Sequence, residues 1–374
     1  MSATTRTEIA FRRHLEETLL PPMVALVVAM VVGDILILSY GQSPATVYRL
    51  LIDGTWGNAY GFGQVIYKAT TLTCTGLAFA LAARAGLFNV GAEGQLAMGG
   101  FAAALAGLAL PVGTPMLVAA PICAVAAMIA GGATAAVPGV LRAKFGASEV
   151  IVTIMLNFVV LALLNYTITA HLHVPETLHT PEMHAGTVGR LSDSFASFHG
   201  SAANWTLVAA IVAALGLWYF LFRSKGGYEL RAVGLQPDAA EYGGVSVSGV
   251  MVRAMTWSGA IAGLGGINFV LGYKGYYEEG FAAGSGFLGI AVALVGRNHP
   301  IGILFAALLF ATLSQGGLAV NALVPKQLVD ILQAVVILAV ATAVPEVQRQ
   351  LRAAAASVAR SAGAVSGSKA KAES

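Results

Sequence analysis

Asn89, Glu93 and Gln95 are the residues whose types and spacing could do chemistry. They stand in Ala85–Gly100, AGLFNVGAEGQLAMGG, at the mouth of a run that otherwise reads as membrane-spanning. A carboxylate and two amides entering hydrocarbon are costly, and polar groups kept there serve solute paths, proton relays or buried partners. Amides and a carboxylate can hydrogen-bond the hydroxyls and ring edges of a small polar solute, and Phe88 or Phe101 could stack on a ring. Helix-end capping or packing against another chain would use the same groups. On a helix, Asn89 and Glu93 share one face, and Ala97 and Gly100 continue it with small side chains.

A second polar line runs through Glu149, Thr153 and Asn157 at steps of four, then Asn165 and Thr169. Each step drifts by ~40°, so the line winds around its helix. It reads either as a seam facing a solute path or as interhelical hydrogen bonding. The loop from His171 to His199 holds five of the seven histidines (His171, His173, His179, His184 and His199) without fixed spacing or a carboxylate cluster, which reads as a solvated outer loop rather than a metal site. Lys274, Glu278 and Glu279 with Tyr273, Tyr276 and Tyr277 form a second outer patch, either a partner contact or interface anchors. No phosphate-binding GxxxxGK[ST] loop, HExxH, CxxC or GxSxG is present, so no catalytic residue and no metal ligand is assigned.

The elements that must position these groups are transmembrane helices. The 374 residues are 57% hydrophobic and 10% charged, against roughly 25% charged in an average soluble domain. The fold class expected is all-α, a polytopic integral membrane protein of about ten spans. The apolar runs are Pro22–Ser39, Val65–Ala83, Val90–Leu110, Pro115–Val137, Val150–Ala170, Trp205–Phe222, Val247–Leu271, Gly286–Gly296, Ile301–Val320 and Gln327–Val344. The eighth is too short to cross alone and reads as broken or re-entrant. Of the 21 Lys and Arg, five (Arg49, Lys68, Arg190, Lys274 and Lys326) fall opposite the N-terminus and the rest share its side. Both termini are therefore expected in the cytoplasm. Ten spans divide into five and five, and an odd group allows an inverted repeat.

Residues 1–21 read as a cytoplasmic N-terminal segment leading into an uncleaved first helix, 22–344 as the transmembrane domain, and 345–374 as a cytoplasmic tail, helical at most over Glu346–Arg360. Cys74 and Cys123 lie in apolar runs and read as small core side chains. Gly259 and Gly263 give a GxxxG spacing suited to close helix approach. The inner connection 223–246 is long and polar; Gln236 and Pro237 open a short helix, Asp238 sits near its positive end, and Gly243-Gly244 stops it. Spacing alone leaves that helix a solvated connector.

Three segments carry a family resemblance: GLFNVGAEGQLAMGG, GASEVIVTIMLNFVVLALLNYTI, and RAVGLQPDAAEYGGV together with GFLGIAVALVGRNHPIGILFAALLF. From Lys68 to Val344 the chain resembles permease subunits of ATP-binding-cassette (ABC) importers of the branched-chain amino acid, ribose and nucleoside group, and is most similar to the longer of the two permeases in nucleoside importers. The resemblance implies a multi-pass protein of the bacterial inner membrane, with a separate ABC ATPase subunit, a second and shorter permease in a heterodimer, and an extracytoplasmic substrate-binding lipoprotein. It implies no cofactor on this chain, with ATP and magnesium on the ATPase; the net charge of +3, drawn from few charges, points to no nucleic-acid partner. It gives the short cytoplasmic helix a docking role on the ATPase, at Gly234, Asp238, Ala239, Ala240, Glu241 and Gly243; Gln236 stands where the family often has Asn. The substrate path is expected at Asn89, Glu93, Gln95, Thr153, Asn157 and Asn165. Two other readings remain at this point. One is a permease of the same kind for a simple sugar such as ribose. The other is an ion-coupled secondary transporter using a buried carboxylate such as Asp34 or Glu93.

Overall fold

The computed structural model describes residues 27–172, 174–325 and 327–339. The expected N-terminal segment 1–21, the tail 345–374 with its helix over Glu346–Arg360, the start of the first span (22–26) and the end of the tenth (340–344) lie outside the described residues. The described regular structure is helical, with isolated β-bridges pairing His179 with Glu278 and Arg190 with Asn204.

All ten apolar runs contain helix. They are α1 (Val27–Ser39), α3 (Ala59–Arg84), α4 (Ala92–Ala109), α5 (Met116–Phe145), α6 (Glu149–Thr167), α7 (Thr206–Arg223), α10 (Val247–Gly265), α11 (Ser285–Val295), α12 (Pro300–Ala319) and α13 (Gln327–Ala339). Among the described residues six helices are long and apolar enough to cross a membrane, or seven if Val27–Ser39 and Pro44–Asp53 count as one bent span. The count falls below the expected ten for identifiable reasons. Glu93 and Gln95 dilute the first turn of α4, and α11 has only 11 residues, under the ~20 needed to span alone. Among the described residues, helices outside the apolar runs include α2 (Pro44–Asp53), α8 (Lys225–Leu235) and the short α9 (Pro237–Tyr242), besides single turns at Leu191–Ser194 and Ala196–Phe198.

The chain forms two units, 1–47 with 323–374, and 48–322. In the first, Ala29 and Ile37 of α1 and Val329, Leu332, Val336 and Ala339 of α13 are buried. In the second, α3 and α10 form the centre, and most of both is buried. The two helices pack on each other; α3 also meets α11 and α12, while α10 meets α4 and α5. Exchanging α3, α4 and α5 for α10, α11 and α12 maps each of these pairings onto another, as an inverted repeat requires. Close approach depends on small residues. A Cβ on Gly259 or Gly263 would overlap the backbone of α5 at Gly131 or Ala127, so the GxxxG spacing serves the α5–α10 seam.

Candidate functional site

The site is built where α3 ends and α4 begins. Gly86, at φ 75°, reverses the chain after Arg84, and residues 87–90 cross the interior without helical structure before α4 starts at Ala92. Asn89 thus precedes the helix and does not share a face with Glu93. Its amide pairs reciprocally with Gln95: Asn89 Nδ2 donates to Gln95 Oε1 at 2.9 Å, and Gln95 Nε2 donates to Asn89 Oδ1 at 3.0 Å. Asn89 Nδ2 also donates to Ser258 Oγ of α10 at 2.8 Å, and that hydroxyl donates to the Ala78 carbonyl of α3 at 2.6 Å. This network is fully buried and ties the crossing segment to both central helices.

From α6, Asn157 reaches the same segment. Its Oδ1 accepts from Gly94 N at 2.9 Å, and its Nδ2 donates to the Val90 carbonyl at 3.0 Å. One of the unpaired donors at the start of α4 is thereby satisfied. Thr153, one turn earlier and buried, turns its hydroxyl back onto the Glu149 carbonyl at 2.7 Å. Asn165 lies eight residues beyond Asn157, about 12 Å along the helix, and donates to the Glu279 carboxylate outside this group.

Glu93 points the other way. Oε1 accepts from Gly284 N and Oε2 from Gly286 N, both at 2.7 Å, at the start of α11. A Cβ on Gly286 would overlap the Glu93 backbone nitrogen, so the two helix N-termini meet almost backbone to backbone. Each end carries roughly half a positive charge, and the Glu93 carboxylate, 6% exposed, stands between them. In this arrangement the side-chain polar groups of Asn89, Glu93, Gln95 and Asn157 are all engaged within the chain.

The α8–α9 pair lies at the end of α3 where Arg84 is found. Ser224 caps α8 by accepting from Gly227 N at 3.0 Å; Pro237 opens α9 at its first position, with Asp238 in its first turn and Gly243 at its end, as the composition led one to expect. Among the residues given a docking role, Asp238, Ala239, Glu241 and Gly243 are exposed and Ala240 is buried. Gly234, half-buried, packs main chain to main chain: a Cβ there would overlap the Arg84 carbonyl, and Gly234 abuts Gly86 in turn. Sequence reading missed Leu235 and Tyr242, the last residues of α8 and α9, large side chains 84% and 96% exposed. Their signal, apolar type within a polar connection, was present. Around the Gly234 contact, Arg84 Nε donates to the Asn298 carbonyl at 3.1 Å, and Arg84 and Arg231 both lie over the Phe222 ring, at 5.9 and 5.4 Å.

At the opposite end of α3, the tyrosine patch divides. His179 stacks on Tyr276 at 4.2 Å, and Lys274 pairs with Glu278 at 3.6 Å. Tyr277, expected at the surface, is 2% exposed and packs edge-on against Phe101 and Phe281; Thr180 N donates to its carbonyl, and its own N donates to the Thr180 hydroxyl. An open cleft of about 400 Å³ is lined by Arg190, Asp193, Tyr273 and Lys274 among others.

A family model for the branched-chain amino acid transport system permease component matches residues 61–341. The guanosine ABC transporter permease protein NupP of Bacillus subtilis is 36% identical over 337 residues, 87% of this chain and 93% of NupP. The nucleoside ABC transporter permease protein NupB of Lactococcus lactis is 34% identical over 329 residues, 86% of this chain and 90% of NupB. A glucose ABC transporter permease of Haloferax volcanii is 33% identical over 333 residues, 85% of each chain. No solved structure matches. With buried helices interrupted by polar crossings and a family match over most of its length, the chain belongs to the branched-chain amino acid transport system permease component family.

Proposed function

We propose that this chain is the permease subunit of an ATP-driven ABC importer of nucleosides, moving solute by alternating access. The observation that carries this reading is the identity of 36% and 34%, over most of both chains, to permeases named for guanosine and nucleoside transport. In this reading the chain sits in the bacterial inner membrane with both termini cytoplasmic and works beside a second, shorter permease and an extracytoplasmic binding lipoprotein. ATP and magnesium are bound by a separate ATPase, and no chemistry is catalysed here.

The ATPase docks on α9, with Leu235 and Tyr242 as apolar contacts and Asp238 and Glu241 as charged ones. What supports this is their exposure on a polar loop and the backbone joint at Gly234 behind them. Asn89, Gln95, Thr153 and Asn157 frame the solute path, and Asn89, Gln95 and Asn157 also fix the crossing segment; Asn165 stands farther along α6.

Uptake by cells expressing the complete importer tests the substrate. Excess guanosine, inosine or uridine should abolish uptake of labelled nucleoside and ribose should leave it intact. The glucose permease of Haloferax keeps a sugar reading in view, and competition by a simple sugar alone would establish it instead.

A further inference from the structure

We propose that Glu93 is a positioning residue of the transport cycle, a latch that clasps the N-termini of α4 and α11 and is opened by the stroke arriving through Gly86. The inference rests on the importer reading above. α4 and α11 occupy equivalent places in the two repeats, since α10 packs on α4 as α3 packs on α11. Glu93 is the second residue of α4 and Gly286 the second of α11. Only one of these matched positions carries a carboxylate, and the other carries no side chain at all. The main chain of α4 at Glu93 occupies the room this leaves, and the Glu93 carboxylate accepts from Gly284 N with one oxygen and from Gly286 N with the other.

Two opposed positive helix ends repel unless a negative group lies between them. A carboxylate accepting two amide donors in a buried place supplies that group with charge-assisted bonds. The Gly286 amide is buried and would otherwise be an unsatisfied helix end, while Gly284, exposed at the edge, adds a partly buried second donor. The latch is also in line with the coupling surface. Gly234 at the end of α8 abuts Arg84 and Gly86. From Gly86 the chain runs five residues to Gly91, held by the Asn89–Gln95 pair and by Asn157, and Glu93 follows two residues later. A displacement of α8 and α9 therefore reaches the carboxylate through backbone and a short, braced segment.

Hydrogen exchange followed by mass spectrometry over 281–288 tests the latch in the full chain in lipid nanodiscs. Exchange there should be slow in the wild type. It should rise about tenfold or more in Glu93→Gln, the effect of losing one charge-assisted bond. Gly286→Ala keeps the carboxylate and pushes the helix ends apart, and should give the same local rise with exchange elsewhere unchanged. Exchange over 281–288 that neither variant alters would overturn the clasp. In the assembled importer trapped with MgATP and orthovanadate, the same segment should lose protection, and both variants should hydrolyse ATP while uptake drops at least tenfold. A segment that stays protected in a trapped wild-type importer, or variants with normal uptake, would overturn the opening. A wild-type complex that opens this segment on trapping yet imports no nucleoside would sink the nucleoside reading and leave the latch standing.

Discussion

At the scale of single residues, the buried polar groups divide by what they hold together. Asn89 and Gln95 satisfy each other, so replacing one strands its partner. Asn89→Leu should cost about 1–3 kcal/mol, the penalty for an unsatisfied buried amide, read as a lowered thermal midpoint in detergent. A change of Asn165, half-exposed and bonded to Glu279, should cost far less. His299, in the turn before α12, has its pKa pulled below the ordinary 6.5 by burial first and by Arg84 second. The fold thus favours the neutral ring, and the stability this gives is complete above pH 6.5 and is lost as pH falls toward the depressed value. His299→Asn should flatten that part of a stability profile measured between pH 5 and about 7.5. That Asn89, Glu93 and Gln95 need partners was legible in the sequence because polar groups stand out in apolar context. Their partners were not, because the four-residue spacing assumes a helix and α4 begins only at Ala92. Nor could local sequence reveal that Tyr277 turns inward, a choice made by distant Phe101 and Thr180.

At the scale of elements, apolar runs located the helices and surface chemistry hid the others. Each of the ten runs contains helix, since about 20 apolar residues in lipid leave the backbone no other way to satisfy itself. α8, KGGYELRAVGL, mixes charge and glycine; its helicity depends on the Ser224 cap and on packing of Leu230 and Val233, both buried. The α5–α10 seam predicts the cost of bulk. Gly259→Val should drive the two helices apart and destabilise by about 1–3 kcal/mol as an overpacked contact, checked by the yield of monodisperse protein after heating. Around α9 the expected effects separate. Gly234→Ala should disturb the joint itself and lower stability, whereas Leu235→Asp with Tyr242→Arg should leave folding intact and abolish co-purification with the ATPase. Retained ATPase binding by that double variant would move the docking surface elsewhere.

At the scale of the whole molecule, the sequence suggested five and five spans, and the packing of α3–α5 and α10–α12 in matched pairs is what such a duplication requires. Direct sequence comparison could not reveal it, because helix pairing is preserved by size and shape rather than by residue identity. The proposed division of labour is testable with purified material. This chain alone in proteoliposomes should move no nucleoside against a gradient, with or without a pH difference, and uptake should appear on adding the ATPase, the second permease and the binding protein. Proton-driven uptake by the lone chain would instead favour the ion-coupled reading and direct attention to Asp34. The meeting of Gly86 and Gly234 has a last consequence. A connection made by main chain against main chain has no side chain to bend, swing into another rotamer or be shortened by mutation, so it behaves as a stiff hinge pin. Under the proposed coupling, slack resides at its two extremities, in the outward-facing Leu235 and Tyr242 and in the carboxylate of Glu93, and substitutions there are expected to retune its timing without rebuilding its frame.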